Sequence, residues 1–342
     1  MDIASFIKEQ PDVIQKTFES ISGALAGWQP GTFDDVLLVG SGSSFNALTV
    51  ALPLLHAAGL GGVRVIGPTS FLGEARAGYR RRPLVVVLSQ SGASTTSIAT
   101  AQFAGQSGWP ALVVTGEADS PIASAGPRTI VLPIGAERVG PKTKGYTSSL
   151  AAVLALAANL GGSPLPPFDR EAFAERVAAA AGAAERLAAG LDTADHIVIS
   201  GSRRFFGIAL EASLKISEIA GVPSAAYELE ELLHGRLHGL TSHSVGVIIA
   251  AEPDELSTAA RTAKVMRARH VDLRILNLTG VATPFDWPIS GRWQAAPLDV
   301  LDAVVPFQWL AAHLALRRGM VPEAMHYPGL SKALAIKVPD RA

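Results

Sequence analysis

The 342-residue sequence contains no cysteine. This excludes disulfide bonds, thiolate metal sites and cysteine nucleophiles, including the cysteine that many glutamine amidotransfer domains use. The sequence also lacks a charge excess, because 29 lysines and arginines nearly balance 30 aspartates and glutamates. Without a basic field we expect no binding to nucleic acid through phosphate contacts.

Long apolar runs are missing as well. The longest spans residues 150–160 and contains Asn159. It is shorter than the roughly 20 residues that cross a bilayer, so it predicts a core helix rather than a membrane span. The opening MDIASFIKEQ shows neither the basic nor the apolar segment of an export signal. We therefore expect a cytoplasmic protein that does not associate with a membrane.

The chain repeats itself at an offset of about 160 residues. VLLVGSG at 36–42 and IVISG at 197–201 are both β-rich runs that end in Ser-Gly, and further apolar runs recur at the same offset downstream. Alanine-rich helical stretches separate these runs. Strands that alternate with helices predict an α/β protein with two doubly wound parallel sheets, which agrees with the two domains expected from the length.

Domain boundaries follow from this repeat and from its linker. Residues 161–168, GGSPLPPF, cannot continue a helix, and a helix is predicted over 170–189. The predicted segments are an amino-terminal helical segment, a first α/β domain, a linker with a bridging helix, a second α/β domain and a tail. Their ranges are 1–28, 29–160, 161–190, 191–325 and 326–342.

The first polar loop, GSGSS at residues 40–44, connects a predicted strand directly to a helix. Backbone N–H groups and serine hydroxyls then meet at a helix start, which favours an anion site. A dinucleotide-binding loop is the alternative. It would need a third glycine where Phe45 stands and an acidic residue at the end of the next strand, where Arg64 and Ile66 stand.

The second polar loop, SQSGAS at residues 89–94, follows the strand at 84–88 and precedes a helix that starts near Thr95. A phosphate dianion can be satisfied there by hydroxyl and backbone donors without a lysine. The alternative is that these serines only cap helices. Two such loops at the carboxyl ends of strands in one sheet favour a phosphomonoester site in the first half of the chain.

A charged stripe marks the helix predicted over 205–221. At 100° per residue, Glu211, Lys215 and Glu218 fall within roughly 60° of one another, with apolar residues on both sides. The charges therefore face a cleft or each other. The plain alternative is an i, i+4 ion pair with a bystander glutamate. A carboxylate beside an ammonium in low dielectric can also move a proton next to a carbonyl and stabilise the resulting oxyanion.

Two histidines, His234 and His238, lie four residues apart. Gly235 between them disfavours a helix, and no third ligand has an obvious spacing, so we expect no metal. A proton-shuttling imidazole is the favoured interpretation for one of the two, and capping or exposure is the alternative for the other.

Six ordered motifs together resemble the SIS (sugar isomerase) family. The likeness is to the isomerase half of glucosamine-6-phosphate synthase and to stand-alone amino-sugar-phosphate isomerases, deaminases and fructosamine-6-phosphate deglycases. It implies two tandem, flavodoxin-like SIS domains with parallel sheets flanked by helices. The motifs are GSGSSFN, VLSQSGAS, ERVGPKTKGYTSSL, IALEASLKISEI, AYELEELLHG and GLSKALAIKV.

The resemblance implies a cofactor-free enzyme without a glutaminase domain. It would act on an amino-sugar 6-phosphate or a fructosamine 6-phosphate by ring opening and C1–C2 proton transfer. The alternative is a sugar-phosphate sensor that binds without turnover. Among the residues, Glu218 matches the base, supported by Lys215 and Glu211. The matched phosphate-binding residues are Ser43, Ser44, Ser89, Gln90, Ser91 and Ser94.

The same resemblance assigns residues around the sugar. His234 matches a histidine that assists ring opening from the neighbouring subunit, which implies a homodimer. Lys332, in the tail over the active site, matches the lysine that meets the open-chain carbonyl, and Glu137 and Thr143 match residues on the sugar side. The synthase pattern has serine where Lys142 stands and proline where Arg236 stands, so two extra cations are expected at the sugar or its entrance.

Overall fold

The computed structural model of this chain describes residues 2–191 and 193–338, which form two compact units. The first-sheet unit comprises residues 12–138, 144–165 and 327–338, and the second-sheet unit comprises 2–11, 139–143, 166–191 and 193–326. The helices are α1 Ile3–Lys8, α2 Gln10–Leu25, α3 Ser43–Ala57, α4 Pro68–Arg76, α5 Thr95–Gln106, α6 Lys144–Gly161, α7 Arg170–Ala188, α8 Arg204–Ala220, α9 Leu229–Leu233, α10 Pro253–Arg267, α11 Asp299–Arg317 and α12 Leu330–Ala333.

The first-sheet unit is built on a parallel sheet of five strands in the order β2-β1-β3-β4-β5. This is the flavodoxin-like order, in which ligands bind at the carboxyl ends of the strands. The central strands are apolar and fully buried because helices cover both faces of a parallel sheet. The strands are β1 Asp35–Val39, β2 Val63–Ile66, β3 Pro83–Leu88, β4 Ala111–Thr115 and β5 Thr129–Val131.

The second-sheet unit repeats this order as β7-β6-β8-β9. Residues 285–287 take the place of a fifth strand, since the Ile275 N–H donates to the Phe285 carbonyl over 3.0 Å and the Trp287 N–H donates to the Ile275 carbonyl over 2.7 Å. The duplicated α/β architecture predicted from the repeat is therefore confirmed. The strands are β6 His196–Ser200, β7 Ser224–Tyr227, β8 Ser244–Ala250 and β9 Asp272–Asn277.

Each unit contains one long apolar helix that is largely buried, α6 in the first-sheet unit and α11 in the second-sheet unit. The run at 150–160 forms part of α6, where Leu150 and Leu154 are buried, so the predicted core helix is confirmed. In the described part of the chain, α11 is the one helix that is long and apolar enough to cross a membrane by length and composition, but 89% of its most apolar window is buried. It packs on α7 and α8 as a core helix of the second-sheet unit.

Asp302 places a carboxyl group inside this core. Its side chain is fully buried on α11, and its Oδ2 accepts a 2.5 Å hydrogen bond from the Gln294 N–H. Burial raises the pKa of Asp302 to about 7, and this outweighs the opposing influence of Gln294 and of the Arg176 guanidinium. The folded protein thus binds this proton more tightly than the unfolded chain does. The stability from this group is fully present below about pH 4 and is lost as the pH rises toward 7.

We expect Asp302→Asn to remove this pH dependence. Between pH 5 and pH 7 the wild-type protein should lose about 2 kcal/mol of unfolding free energy relative to the variant, because the slope is about 1.4 kcal/mol per pH unit for one proton and flattens as the pH approaches 7. Urea unfolding at pH 5, 6 and 7 measures the difference. The exposed Asp119→Asn variant serves as the control and should follow the wild-type curve. Parallel curves for Asp302→Asn and wild type would contradict the argument.

Candidate functional site

The loop after β1 is shaped by two glycines. Gly42 has a φ of +55° at the N-cap of α3, a conformation that side chains rarely adopt. A Cβ on Gly40 would lie only 3.0 Å from the Ser44 Cβ, so glycine lets the strand pass close to the helix start. Ser44 is buried and Ser43 is half-buried in the first turn of α3. The predicted strand–loop–helix arrangement is present, while its ligand stays a prediction.

The loop after β3 carries the other predicted phosphate-binding residues. Ser94 caps α5 by accepting from the Ser97 N–H at 3.4 Å, so it performs the capping role that the sequence left open. The Gln90 carbonyl accepts from the Gly116 N–H at 2.9 Å, which fixes this loop to the end of β4. Ser89 is buried and Ser91 is half-buried. Backbone N–H groups and hydroxyls therefore meet at the start of α5, as an anion site requires.

Gly92 is the tightest point of this loop, which we call the phosphate loop (residues 89–94). Its φ is +63°, and a Cβ would lie 2.1 Å from the Ser120 Oγ. We expect Gly92→Ala to cost about 2–4 kcal/mol of unfolding free energy, because left-handed strain adds to overpacking. Gly108→Ala is a matched control: Gly108 has a φ of +65° with open space around it, so only strain of about 1–2 kcal/mol remains. Equal losses in urea unfolding would contradict the clash.

Glu137 occupies the start of α6. Its Oε1 accepts from the Lys144 N–H at 3.2 Å and its Oε2 from the Gly145 N–H at 2.9 Å. The carboxylate is buried and satisfies amides that a helix start leaves without partners. A Cβ on Gly145 would lie 3.1 Å from the Gln90 Nε2. Glu137 and Gln90 therefore converge on one helix terminus, and the capping role of Glu137 had no signal in the sequence.

The acidic and basic stripe lies on α8 in the second-sheet unit. The Lys215 Nζ lies 3.3 Å from the Glu211 Oε1 and 2.7 Å from the Glu218 Oε2. The side chains of Lys215 and Glu211 are 2% and 0% exposed, whereas that of Glu218 is 27% exposed. The sequence left open whether these charges face a cleft or each other. In the structure they face each other, and Glu218 is also in contact with solvent.

The two carboxylates decide the charge of Lys215. Burial is the largest single influence and lowers its pKa, but Glu211 and Glu218 together outweigh burial and raise the pKa above its usual value. Lys215 is therefore held as an ammonium at neutral pH. It can donate hydrogen bonds and stabilise negative charge, but it cannot act as a base. Glu218 is the most exposed member of the stripe, and its role as a base stays a prediction.

His234 terminates α9 and is exposed. Its Nε2 lies 2.8 Å from the Glu230 Oε1, and the two side chains are 70% and 74% exposed. Gly235 follows with a φ of +112°, which ends the helix as the sequence predicted. The Arg236 guanidinium lies 5.0 Å from the centre of the Tyr227 ring. Within residues 2–191 and 193–338, His, Asp and Glu side chains form no group of three that could hold a metal ion.

Lys142 and Thr143 lie in a short segment of the second-sheet unit. Thr143 is buried, and its carbonyl accepts from the Gln308 Nε2 at 3.3 Å. The Gln10 Nε2 donates to the Gln308 Oε1 at 2.5 Å. Lys142 is half-buried. This buried chain of amides holds the segment that carries both residues, and no local pattern in the sequence indicates it.

The tail lies on the first-sheet unit. Lys332 is exposed on α12, and its N–H donates to the Gly329 carbonyl. Farther along, the tail pairs with the phosphate loop through an antiparallel bridge between Ser94 and Lys337. The structure therefore gathers the predicted phosphate residues, Glu137 and the tail in one unit, and Glu211, Lys215 and Glu218 on one helix of the other. That one metabolite touches both groups stays a prediction.

A family model for the SIS domain matches residues 36–159 and 190–283, which together cover more than half of the chain. The chain belongs to the SIS domain family. The match falls on both α/β units, and it confirms the family expected from the six motifs.

Curated and solved relatives agree with this SIS assignment. The isomerizing glutamine–fructose-6-phosphate aminotransferase of Bacillus spizizenii is 27% identical over 91% of this chain and 54% of its own length. The chain thus spans about half the length of the curated relatives it matches.

Two solved structures share the SIS fold along nearly their whole length. Glucosamine-6-phosphate deaminase from Thermotoga maritima has a TM-score of 0.80 at 22% identity, covering 96% of this chain and 98% of its own. Tagatose-6-phosphate ketose/aldose isomerase from Escherichia coli has a TM-score of 0.76 at 18% identity, covering 99% of this chain and 96% of its own. At these identities the likeness concerns the fold.

Proposed function

We propose that this chain is a phosphosugar isomerase that acts on an amino-sugar 6-phosphate or a fructosamine 6-phosphate, with or without release of the amine. The observation that carries the proposal is the stripe on α8, where a buried ammonium is held between two carboxylates and one of them, Glu218, reaches solvent. The relatives are named for isomerizing amino transfer, for deamination of an amino-sugar phosphate and for ketose/aldose isomerisation, and these names support the proposed substrate and reaction class.

The stripe supplies what such a shift requires. In the open-chain sugar, the Glu218 carboxylate takes a proton from the carbon next to the carbonyl, and an enediol or enolamine forms. The same group returns the proton to the neighbouring carbon. Lys215 stays protonated and stabilises the charge that develops on oxygen. For an amino sugar this leaves an imine at C2, which water hydrolyses to the ketose and ammonia.

The phosphate loop supports the phosphorylated substrate class. Its serine hydroxyls offer donors that a dianion needs, whereas the Thr95 N–H at the start of α5 binds the Ile336 carbonyl. In this proposal Ser43, Ser44, Ser89, Gln90, Ser91 and Ser94 bind the phosphate. Glu137, Lys142 and Thr143 line the sugar side, and Lys332 meets the open-chain carbonyl.

The exposed position of His234 supports a homodimer. Its imidazole contacts the Glu230 carboxylate on the same helix end, and both side chains are largely exposed in the single chain. We propose that His234 enters the site of a neighbouring subunit and assists ring opening there. Sedimentation of the protein with and without a phosphosugar tests the dimer.

A turnover panel tests the function. The panel contains glucosamine 6-phosphate, galactosamine 6-phosphate, fructosamine 6-phosphate, and fructose 6-phosphate with ammonia. In deuterated water, an active protein should exchange the C1–C2 proton of at least one of these sugars. Binding by calorimetry without exchange of any bound sugar would overturn the isomerase proposal and identify a sugar-phosphate sensor. Absence of binding across the panel would overturn both.

A further inference from the structure

The pairing of the tail with the phosphate loop fixes the direction of two side chains. The Thr95 N–H donates to the Ile336 carbonyl at 3.2 Å, and the Val338 N–H donates to the Ala93 carbonyl at 2.9 Å. Ser94 and Lys337 lie directly opposite each other between these two bonds. They therefore form the non-hydrogen-bonded pair of an antiparallel ladder, in which Cα atoms approach to about 4.5 Å and the side chains lie on the same face.

Lys337 thus lies beside a residue of the phosphate loop. The loop sequence SQSGAS contains no basic residue, so its own donors are neutral. Hydrogen bonds and ion pairs from a cation to a phosphate are about twice as strong as those from neutral donors. The flexible four-carbon stem of lysine can carry its ammonium past the Ser94 hydroxyl to an anion at the start of α5.

We propose that Lys337 supplies the cation of the phosphate site, and that the backbone pairing of the tail with Ala93 and Thr95 places it there. This inference rests on the proposed function, because it assigns one more binding residue to the same site. The backbone pairing also joins the tail to the phosphate loop. The same pairing therefore holds the short tail segment that carries Lys332 on the first-sheet unit.

The first test replaces the charge. We expect Lys337→Met to raise the Kd and the KM for a turned-over phosphosugar by up to roughly fivefold, as for an exposed ion pair, because Lys337 is exposed. Lys337→Arg should have a Kd within about twofold of the wild-type value. Added salt should reduce the difference in Kd between Lys337→Met and wild type. Lys16→Met removes an exposed lysine from α2 and serves as the matched control.

The second test breaks the pairing without altering Lys337. Thr95 is the first residue of α5 and follows Ser94, whose φ of −65° and ψ of 120° suit a residue before proline. Proline is favoured at this helix position, so Thr95→Pro removes the N–H that binds Ile336 while it leaves the helix intact. It should raise KM as Lys337→Met does and expose the tail to trypsin. Thr95→Ala keeps the N–H and should have a smaller effect. The double variant that combines Thr95→Pro with Lys337→Met should have a KM no higher than that of either single variant, because both changes remove the same cation from the site.

The outcomes separate this inference from the proposed function. If wild-type protein binds and converts a phosphosugar while Lys337→Met behaves like Lys16→Met, the role of Lys337 is overturned and the proposed function stands. If Lys337→Met raises the Kd and the KM but Thr95→Pro neither raises the KM nor makes the tail accessible to trypsin, the proposal that the backbone pairing positions Lys337 is overturned. If wild-type protein binds no phosphosugar in calorimetry, both proposals fail together.

Discussion

Glu218→Gln is expected to lower kcat by about a thousandfold while leaving the affinity for the phosphosugar nearly unchanged. General acid–base catalysis contributes roughly 10²–10⁴-fold, and an amide cannot take up the C1–C2 proton. The substituted side chain keeps its shape, and its amide oxygen can still accept the 2.7 Å hydrogen bond from Lys215. Steady-state kinetics with calorimetric binding, and exchange of the sugar proton with deuterated water, measure both quantities.

The control for this variant is Glu19→Gln, which removes an exposed carboxylate from α2. It should show wild-type turnover and wild-type exchange. Turnover of Glu218→Gln at the wild-type rate would contradict the assignment of the base. A large rise in KM without a change in kcat would instead place Glu218 among the binding residues.

Lys215→Met is expected to cost about 3–5 kcal/mol of unfolding free energy, because it leaves the fully buried carboxylate of Glu211 without its cation. Methionine has a similar length, so the effect comes from charge rather than from a cavity. Urea unfolding at neutral pH measures the loss. The loss should shrink at acidic pH, where the buried carboxylate of the variant can bind a proton.

A double variant keeps this prediction falsifiable. Glu211→Gln with Lys215→Met removes both buried charges and should recover much of the stability that the single variant loses. Lys264→Met, on α10, provides an exposed lysine as a control. If Lys215→Met and the double variant are equally unstable, the loss comes from packing and the electrostatic argument is contradicted.

Local patterns in the sequence predicted most of the α/β framework. The helix predicted over 170–189 is α7, Arg170–Ala188, and the stripe helix predicted over 205–221 is α8, Arg204–Ala220. Both are right to within one residue because proline, glycine and side-chain periodicity act over a few residues. The polar loops also lie at strand ends as expected. The domain boundaries and the roles of the site residues stay predictions.

Other features depended on residues far apart in the chain. Thr95 meets Ile336 across 241 residues, and the Gln10–Gln308 contact spans 298. Periodicity and spacing do not report such pairs. The sequence placed Glu137 on the sugar side by resemblance alone, whereas the structure also shows its oxygens on the amides of α6. No pattern in the sequence indicated that the carboxyl group of Asp302 is buried.

Short-range patterning thus decided the order of strands and helices, the two polar loops and the charged face of α8, because each depends on neighbours within a few positions. Packing decided the rest. It determined that Lys215 stays charged between two carboxylates, that Asp302 holds its proton to about pH 7, and that Lys337 lies opposite Ser94. These properties depend on desolvation and on backbone pairing, which exist only once distant segments have come together.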